Sequence, residues 1–517
     1  MSTQLPEVAQ ALLEPGIYPE MTSEVEMKQT QMSFIFLAGQ YVYKVKKPVD
    51  LGYLDYTTLE KRRFFCQQEV ELNRRLCPEV YLGVIPVTRL GTAIALEGKG
   101  EVIEYAVKMR RLPQDRMMNV LLDRNLVSSE MPESVARRLA TFHAAAATNP
   151  SISAFGRLEA IRTNLDENFQ QTEKYIGTLI TARQYRLIRE FAESRLRDRA
   201  EVFNGRVASG RIRDCHGDLH TQHICFADGI CIYDCIEFND RFRYCDVASE
   251  IAFLAMDLDH YGRADLSRSF IAAYIAASGD GGIQELLKFY KCYRAYVRGK
   301  VGCFKYHDPY ISAKEKKQTL EDTRSYFELA EAYSRSRPRL FITVGLVGTG
   351  KTTVAQALAR RLGLTVISSD ILRKQLAHLP PTQHRFEEMD SGIYSADFSR
   401  RTYEKLFAEA RNIIDQGDSA ILDATFLRRE DRRNAQQLAE TSGADFLVLE
   451  CTLDEASVRR RLARRLKGVS VSDGRWEIYG PQKERFEPVA EVAAESHFRI
   501  DTARPLTDQL SSVIESL

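Results

Sequence analysis

Residues 339–363, RLFITVGLVGTGKTTVAQALARRLG, constrain this chain more than any other stretch. The apolar, β-branched run at 340–344 has the composition of a buried parallel strand. Gly345, Gly350, Lys351 and Thr352 then satisfy G-x-x-x-x-G-K-[ST], with Gly348 and Thr353 in the same loop and first turn. Residues 354–362 continue with helical spacing. Strand, glycine-rich loop and helix, in that order, make a phosphate cradle. Backbone N–H groups close around a triphosphate and the helix N-terminus adds its partial positive charge. Lys351 then reaches the terminal phosphates, and the Thr352 hydroxyl sits on Mg²⁺. A chance glycine turn would lack this matching strand and helix, so the stretch predicts a nucleoside triphosphate site.

A chain of 517 residues exceeds one hydrophobic core and implies up to about three domains. Its 72 basic and 71 acidic residues leave a formal charge of +1, which argues against a nucleic-acid coat protein. No apolar run approaches the roughly 18 residues of a membrane span, and the first residues lack a signal-peptide pattern. Ten cysteines without a C-x-x-C pair suit reduced thiols. These features predict a soluble, cytoplasmic, multidomain protein.

In the first half, residues 1–30 offer only a short helix and a turn. SFIFLAG and QYVYKVKKPV then read as a hairpin that places Lys44 on its second strand. Residues 58–76 read as a helix carrying Glu69. A strand lysine followed by a helix glutamate is the pair that protein kinases use to hold ATP phosphates. Further strands are predicted near 83–89, 92–96 and 101–109, the last ending at Met109, an adenine-side hinge position. His143, on a predicted helix over 131–148, reads as a core histidine.

The stretch 214–246 carries more chemistry. His216-Gly217-Asp218-Leu219 fits the frame of the kinase catalytic loop H-R-D-L, whose aspartate accepts the substrate hydroxyl proton. Five positions on, where asparagine is expected to bind a second Mg²⁺, stands His223. The strand at 230–233 delivers Asp234 to a metal-binding position. The clustered cysteines at 215, 225, 231, 235 and 245 match no zinc spacing. Lys291, Arg294 and Arg298, at i, i+3 and i+7, read as a solvated basic face rather than a substrate clamp.

On these residues, 30–310 resembles the aminoglycoside phosphotransferase and choline kinase superfamily, with its H-G-D-x-H-x-x-N signature. The resemblance implies a bilobal, protein-kinase-like α+β fold with ATP in its cleft. It implies Asp218 as catalytic base, Asp234 as Mg²⁺ ligand, Lys44 on the phosphates and Glu69 as its partner. Lys46 and Glu71 replace the last two if the register slips. His223 departs from the pattern and leaves three readings: a kinase using one Mg²⁺ or Mn²⁺, a weakened kinase, or a pseudokinase regulating its neighbour. The first two are favoured because the other signature residues are present.

Beyond the polar break SRSRP, five strands near 340–344, 365–368, 419–423, 446–450 and 497–501 alternate with helices, predicting a doubly wound parallel sheet. Asp370 follows the second strand with Arg373 one turn later, and Asp423 closes the third in a Walker-B-like position. SVRRRLARRLKG places Arg461 and Arg465 on one face of a predicted lid helix. The region resembles small P-loop kinases related to gluconate kinase, polynucleotide 5′-kinase, seryl-tRNA kinase and the zeta toxins. That resemblance implies Asp370 as the acceptor-activating base and Arg373 as a substrate ligand. Val471-Ser472-Asp473, Gln482 and the FEP at 486–488 are similar to the post-lid segment of bacterial members.

Taken whole, the chain resembles bacterial fusions of an aminoglycoside-phosphotransferase-like kinase with a P-loop kinase. The expected layout is an N-terminal extension (1–30), a kinase domain (31–325), a linker (326–338) and a P-loop kinase, AAA-type, domain (339–517). The expected function is two-site, ATP-dependent phosphorylation of small-molecule hydroxyls with Mg²⁺, Mn²⁺ being an alternative in the N-terminal half. Two rivals are a nucleic-acid-end or tRNA kinase, disfavoured by the neutral charge, and a regulatory pseudokinase–ATPase pair. No membrane partner is expected, and the acceptors and the oligomeric state are not readable.

Overall fold

Alternating large apolar side chains at Phe34, Phe36, Tyr43 and Val45 give the first half one buried sheet face, which packs with Ile85, Val87 and Ala106. In the computed structural model, which describes residues 5–308, 311–387, 390–465 and 471–517, this pattern builds a six-stranded antiparallel sheet. Its strands are β1 (Val25–Gln29), β2 (Ser33–Ala38), β3 (Tyr41–Lys46), β4 (Tyr81–Leu90), β5 (Ala93–Leu96) and β6 (Glu101–Arg110). They lie in the order β1-β2-β3-β6-β4-β5. The predicted hairpin is present, Ala38 pairing with Tyr41 across the Gly39-Gln40 turn. Edge strand β1 was not predicted, because its alternation rests on only two apolar residues, Val25 and Met27, too few to mark a strand.

The opposite sheet face, with Val42, Val84, Val107 and Met109, packs on the helix Leu59–Arg74 through Cys66 and Val70. Thr58 caps that helix, its hydroxyl accepting from the Lys61 N–H at 3.2 Å. Lys44 and Lys46 share the Val42 side of β3 and so both point at this helix. The two residues are not exchanged by a one-residue slip, since strand side chains repeat every second position.

The chain divides into two compact units. One holds residues up to Lys174 with Ala192–Asp257 and Leu266–Val297; the other holds Tyr175–Phe191, Leu258–Asp265 and Arg298 onward. The expected linker needs correction. Residues 326–334 finish the helix Ala313–Ser334, where Phe327, Leu329 and Ala330 are fully buried. Glu328 of this helix pairs with Arg361 on the phosphate-loop helix, so the stretch is a packed part of the second unit.

In the second unit the five parallel strands are ordered Thr365–Ser368, Ala420–Asp423, Arg339–Val344, Asp445–Thr452 and His497–Asp501. The predicted doubly wound sheet is therefore present, with apolar clusters on both faces. The central strand Arg339–Val344 is buried along its whole length, Arg339 and Thr343 included, as a largely apolar strand covered on both faces should be.

The cysteine expectation also needs correction. Cys77 and Cys231 form a disulfide with Cα atoms 4.8 Å apart, while eight cysteines remain free. The pair joins the turn after the Leu59–Arg74 helix to the strand Gly229–Ile232, a proximity that 154 residues of separation hide from the sequence. No described helix is long and apolar enough to cross a membrane.

Candidate active sites

In the first unit the carboxylate of Glu69, fully buried, receives both strand lysines. Lys44 Nζ lies 2.8 Å from Oε1 and Lys46 Nζ 2.7 Å from Oε2. Lys44 also reaches Asp234 Oδ1 at 2.9 Å, and Lys46 pairs with Glu237. Burial works against both ammonium charges, yet these carboxylates hold the two lysines well above their ordinary range. The alternative partner Glu71 is exposed and contacts Gln68 instead. Lys46 is sealed at 1% exposure, whereas Lys44 keeps 15% and stands beside Asp234.

Asp234 adopts a left-handed backbone, φ +62°, which aspartate tolerates better than most residues. Its N–H faces the Tyr81 hydroxyl at 3.2 Å, and Asn73 accepts the next N–H, from Cys235, at 2.8 Å. Desolvation opposes ionisation of Asp234, but Lys44 and His223 outweigh it and hold the carboxyl well below its usual range. His223 lies between the two aspartates, its Nε2 3.5 Å from Asp234 Oδ2 and its Nδ1 3.6 Å from Asp218 Oδ2. His220 Nε2 adds a third contact to Asp218 at 3.5 Å.

Sequence reasoning missed what holds the Asp218 loop. The buried Glu250 carboxylate accepts the N–H groups of His216 (2.8 Å) and Gly217 (3.2 Å). Burial alone would raise its pKa, but His143, His216 and these N–H groups bring it to about 2. Burial lowers His216 to about 4, leaving a neutral ring that donates from Nε2 to the Tyr233 carbonyl and accepts the Asp218 N–H at Nδ1. Gly217 has φ +86°, and a Cβ there would come within 2.9 Å of the Phe242 carbonyl oxygen, so only glycine fits. Arg294, read above as solvated, is buried and donates to the Gly217 carbonyl at 3.2 Å. His143, expected as a core histidine, is buried and contacts the Tyr274 hydroxyl at 2.8 Å.

In the second unit Gly350, φ +90°, caps the helix Lys351–Leu362 in a conformation that other residues adopt at a cost. Thr352 donates its hydroxyl to Asp423 Oδ2 at 2.8 Å, the pairing a Mg²⁺ site needs. Burial raises the Asp423 carboxyl, with Thr352 and Lys351 partly offsetting it. Lys351 donates to the Leu346 carbonyl at 2.8 Å, and withdrawal from water lowers its pKa despite Asp423. An anion placed in the loop would relieve this penalty. Hydroxyl, carboxylate and ammonium thus fit a metal-bound polyphosphate.

Lys351, Thr352, Asp370, Arg373, Asp423 and Arg465 line one cleft of about 1260 Å³, with Gly348, Gly350 and Thr353 along its phosphate-loop wall. That exceeds the roughly 300–1,000 Å³ of a usual ligand pocket and leaves space beside a nucleotide for an acceptor. Arg373 is buried against the Tyr394 ring, 4.8 Å from its centroid, and donates to Ser399 at 3.1 Å. The two predicted lid arginines separate. Arg461 is tied to Thr502 (2.9 Å), whose hydroxyl donates to the Thr349 carbonyl of the loop, whereas Arg465 faces the cleft. Residues 466–468 of the predicted lid lie outside the described residues. Gln482 accepts the Val347 N–H at 2.9 Å, bracing the loop.

Asp473 is a second feature without a chemical role in the sequence reading. Its buried carboxylate takes Lys374 (3.3 Å), His384 Nδ1 (2.9 Å) and the Tyr394 hydroxyl (2.8 Å), joining three segments at the wall of the cleft. Asp473→Ala leaves the buried Lys374 ammonium bonded to the Pro381 and Val471 carbonyls but without an opposite charge, and is expected to cost about 3 kcal/mol. Chemical denaturation and faster hydrogen exchange in peptides covering 371–386 would register it. Unchanged exchange there would show the hub to be energetically idle.

Among the described residues, two groups have metal-ligand spacing, Asp218–His220–His223 and His143–Cys215–Glu250, and neither is a thiolate cluster.

Fold and sites together define a kinase-type phosphotransferase. Residues 62–289 match the phosphotransferase enzyme family, and residues 340–489 match an AAA domain. An uncharacterized protein of Mycobacterium tuberculosis H37Rv is 30% identical over 483 residues, 93% of each chain. The chain belongs to the same two-domain family, which joins a phosphotransferase domain to a P-loop domain. A gluconokinase of Gluconobacter oxydans is 30% identical over 124 residues, covering 24% of this chain and 64% of that protein. The solved choline/ethanolamine kinase family protein of Mesorhizobium loti is 12% identical, covers 64% of this chain and 99% of its own, and has a TM-score of 0.36.

Proposed function

We propose that the protein is an ATP-dependent phosphotransferase with two ATP sites, each phosphorylating a hydroxyl of a small molecule. One observation carries the reading: each unit brings together, in one site, the lysine expected to hold phosphate and the carboxylate expected to face the acceptor. In the first, Lys44 connects through Asp234 and His223 to Asp218. In the second, Lys351 and Asp370 line the same cleft.

In this reading Asp218 and Asp370 orient the attacking hydroxyl and accept its proton, while Lys44 and Lys351 neutralise phosphate charge. Asp234 with His223, and Thr352 with Asp423, would hold the divalent cation, which supplies charge neutralisation on the phosphates when bound. Arg373 and Arg465 stabilise charge on the acceptor side and on the transferred group. The likeness to a gluconokinase supports a polyhydroxylated small acceptor for the C-terminal half. The near-neutral total charge supports a small molecule over an oligonucleotide.

The test is a mass-spectrometric screen of a metabolite and RNA extract incubated with ATP and Mg²⁺ or Mn²⁺. Wild type is expected to phosphorylate two acceptors, one lost in Asp218→Asn and the other in Lys351→Ala. ATP binding with no phosphorylated product under any condition would sink the two-kinase reading. A phosphorylated RNA end lost only in Lys351→Ala would move the C-terminal half to the nucleic-acid-end kinases.

A further inference from the structure

The position five residues after Asp218 carries a histidine where an oxygen ligand is expected, and the geometry says what that nitrogen faces. His223 Nδ1 lies 2.9 Å from the Asp218 carbonyl oxygen, an atom that can only accept. Nδ1 therefore keeps a proton whether or not the ring is charged, and Nε2, 3.5 Å from Asp234 Oδ2, is the nitrogen left to take up either a proton or a metal ion. A ring N–H anchored on a backbone carbonyl is how metal-ligating histidines are oriented, and here it leaves Nε2 as the ligating atom, beside a carboxylate that can share the ion. The ring is held: His220 packs on it with centroids 4.0 Å apart, and the His223 carbonyl accepts the Tyr233 N–H at 3.0 Å. Two donor atoms about 3.0–3.5 Å apart are the spacing of neighbouring ligands on one ion with bonds near 2.1 Å.

Resting on the two-site reading above, we propose that His223 Nε2 and the Asp234 carboxylate bind one divalent cation at the N-terminal site, which thereby takes first-row transition ions, Mn²⁺ among them, in preference to Mg²⁺. Mg²⁺ demands oxygen ligands, whereas imidazole suits ions further along the transition series. His223 exposes only 14% of its side chain, so the nitrogen is offered at a wall of the site rather than to bulk water. The remaining coordination positions would be filled by phosphate oxygens and water.

The probe is Mn²⁺ with a non-hydrolysable ATP analogue, bound to full-length protein carrying Lys351→Ala and Thr352→Ala to silence the C-terminal site. Electron spin-echo spectroscopy should show nitrogen modulation from a coordinated imidazole that shifts on ¹⁵N-histidine labelling and vanishes in His223→Asn. Competition should also move: His223→Asn should lower the Mn²⁺ over Mg²⁺ affinity ratio by about tenfold or more. Bound Mn²⁺–nucleotide without histidine modulation, with competition unchanged by His223→Asn, would overturn the assignment and leave the kinase reading standing. Failure to bind Mn²⁺–nucleotide at all would overturn both.

Discussion

Asp218→Asn is expected to lower turnover of the N-terminal acceptor by about 10²–10⁴-fold while leaving nucleotide affinity and the C-terminal product unaffected. The side chain exposes 35% of its surface, enough to meet an acceptor hydroxyl. Its loop is set by other groups, Glu250 on the N–H side and Arg294 on the Gly217 carbonyl, so the substitution leaves the backbone in place. Asparagine keeps shape and hydrogen-bonding capacity but cannot take a proton near neutral pH. A drop in kcat with unchanged thermal stability would mark a base. A parallel loss of stability or of nucleotide binding would instead assign Asp218 to maintaining the loop or the metal site.

What the sequence could and could not disclose follows from the range of the interactions. The phosphate loop was legible because its strand, glycines and helix are contiguous, and the five-strand alternation because short apolar stretches recur between helical segments, although the last strand, HFRID, is mixed. Asp218 and Asp234 were legible as positions because loop and strand follow one another. Glu250 and Arg294 were not: they act 34 and 77 residues from the backbone groups they bind, and nothing local marks a buried carboxylate whose partners are peptide N–H groups. Asp473 escaped for the same reason, since Lys374 and His384 reach it only through the fold. Edge strand β1 is polar, and the supposed linker ended in a packed helix because SRSRP marks only the last residues before the phosphate-loop strand. The choice between Lys44 and Lys46 was open in sequence because both lie on one strand face. The structure gives them different surroundings on the same glutamate.

That shared glutamate carries the largest stability effect expected in the first unit. Glu69→Ala removes a fully buried carboxylate from between two ammonium groups. Breaking a buried pair from one side typically costs about 3–5 kcal/mol, because a desolvated charge loses its partner. Here the cost falls near the lower end, about 3 kcal/mol, since Lys44 retains Asp234 and Lys46 retains Glu237. Glu69→Gln, which keeps the shape and loses the charge, should fall between alanine and wild type. Glu71→Ala, two residues along the same helix but exposed, should behave as wild type. On the proposed function the same change should weaken the N-terminal site: without Glu69, Lys44 is left with Asp234 alone and would compete there with a cation. Denaturation of the full chain, followed by hydrogen exchange in β3 and the Leu59–Arg74 helix, separates this from effects on the second unit. Equal, small effects of Glu69→Ala and Glu71→Ala would mean the two lysines find their compensation elsewhere, and the pairing with Lys44 would lose its claim to position the phosphates.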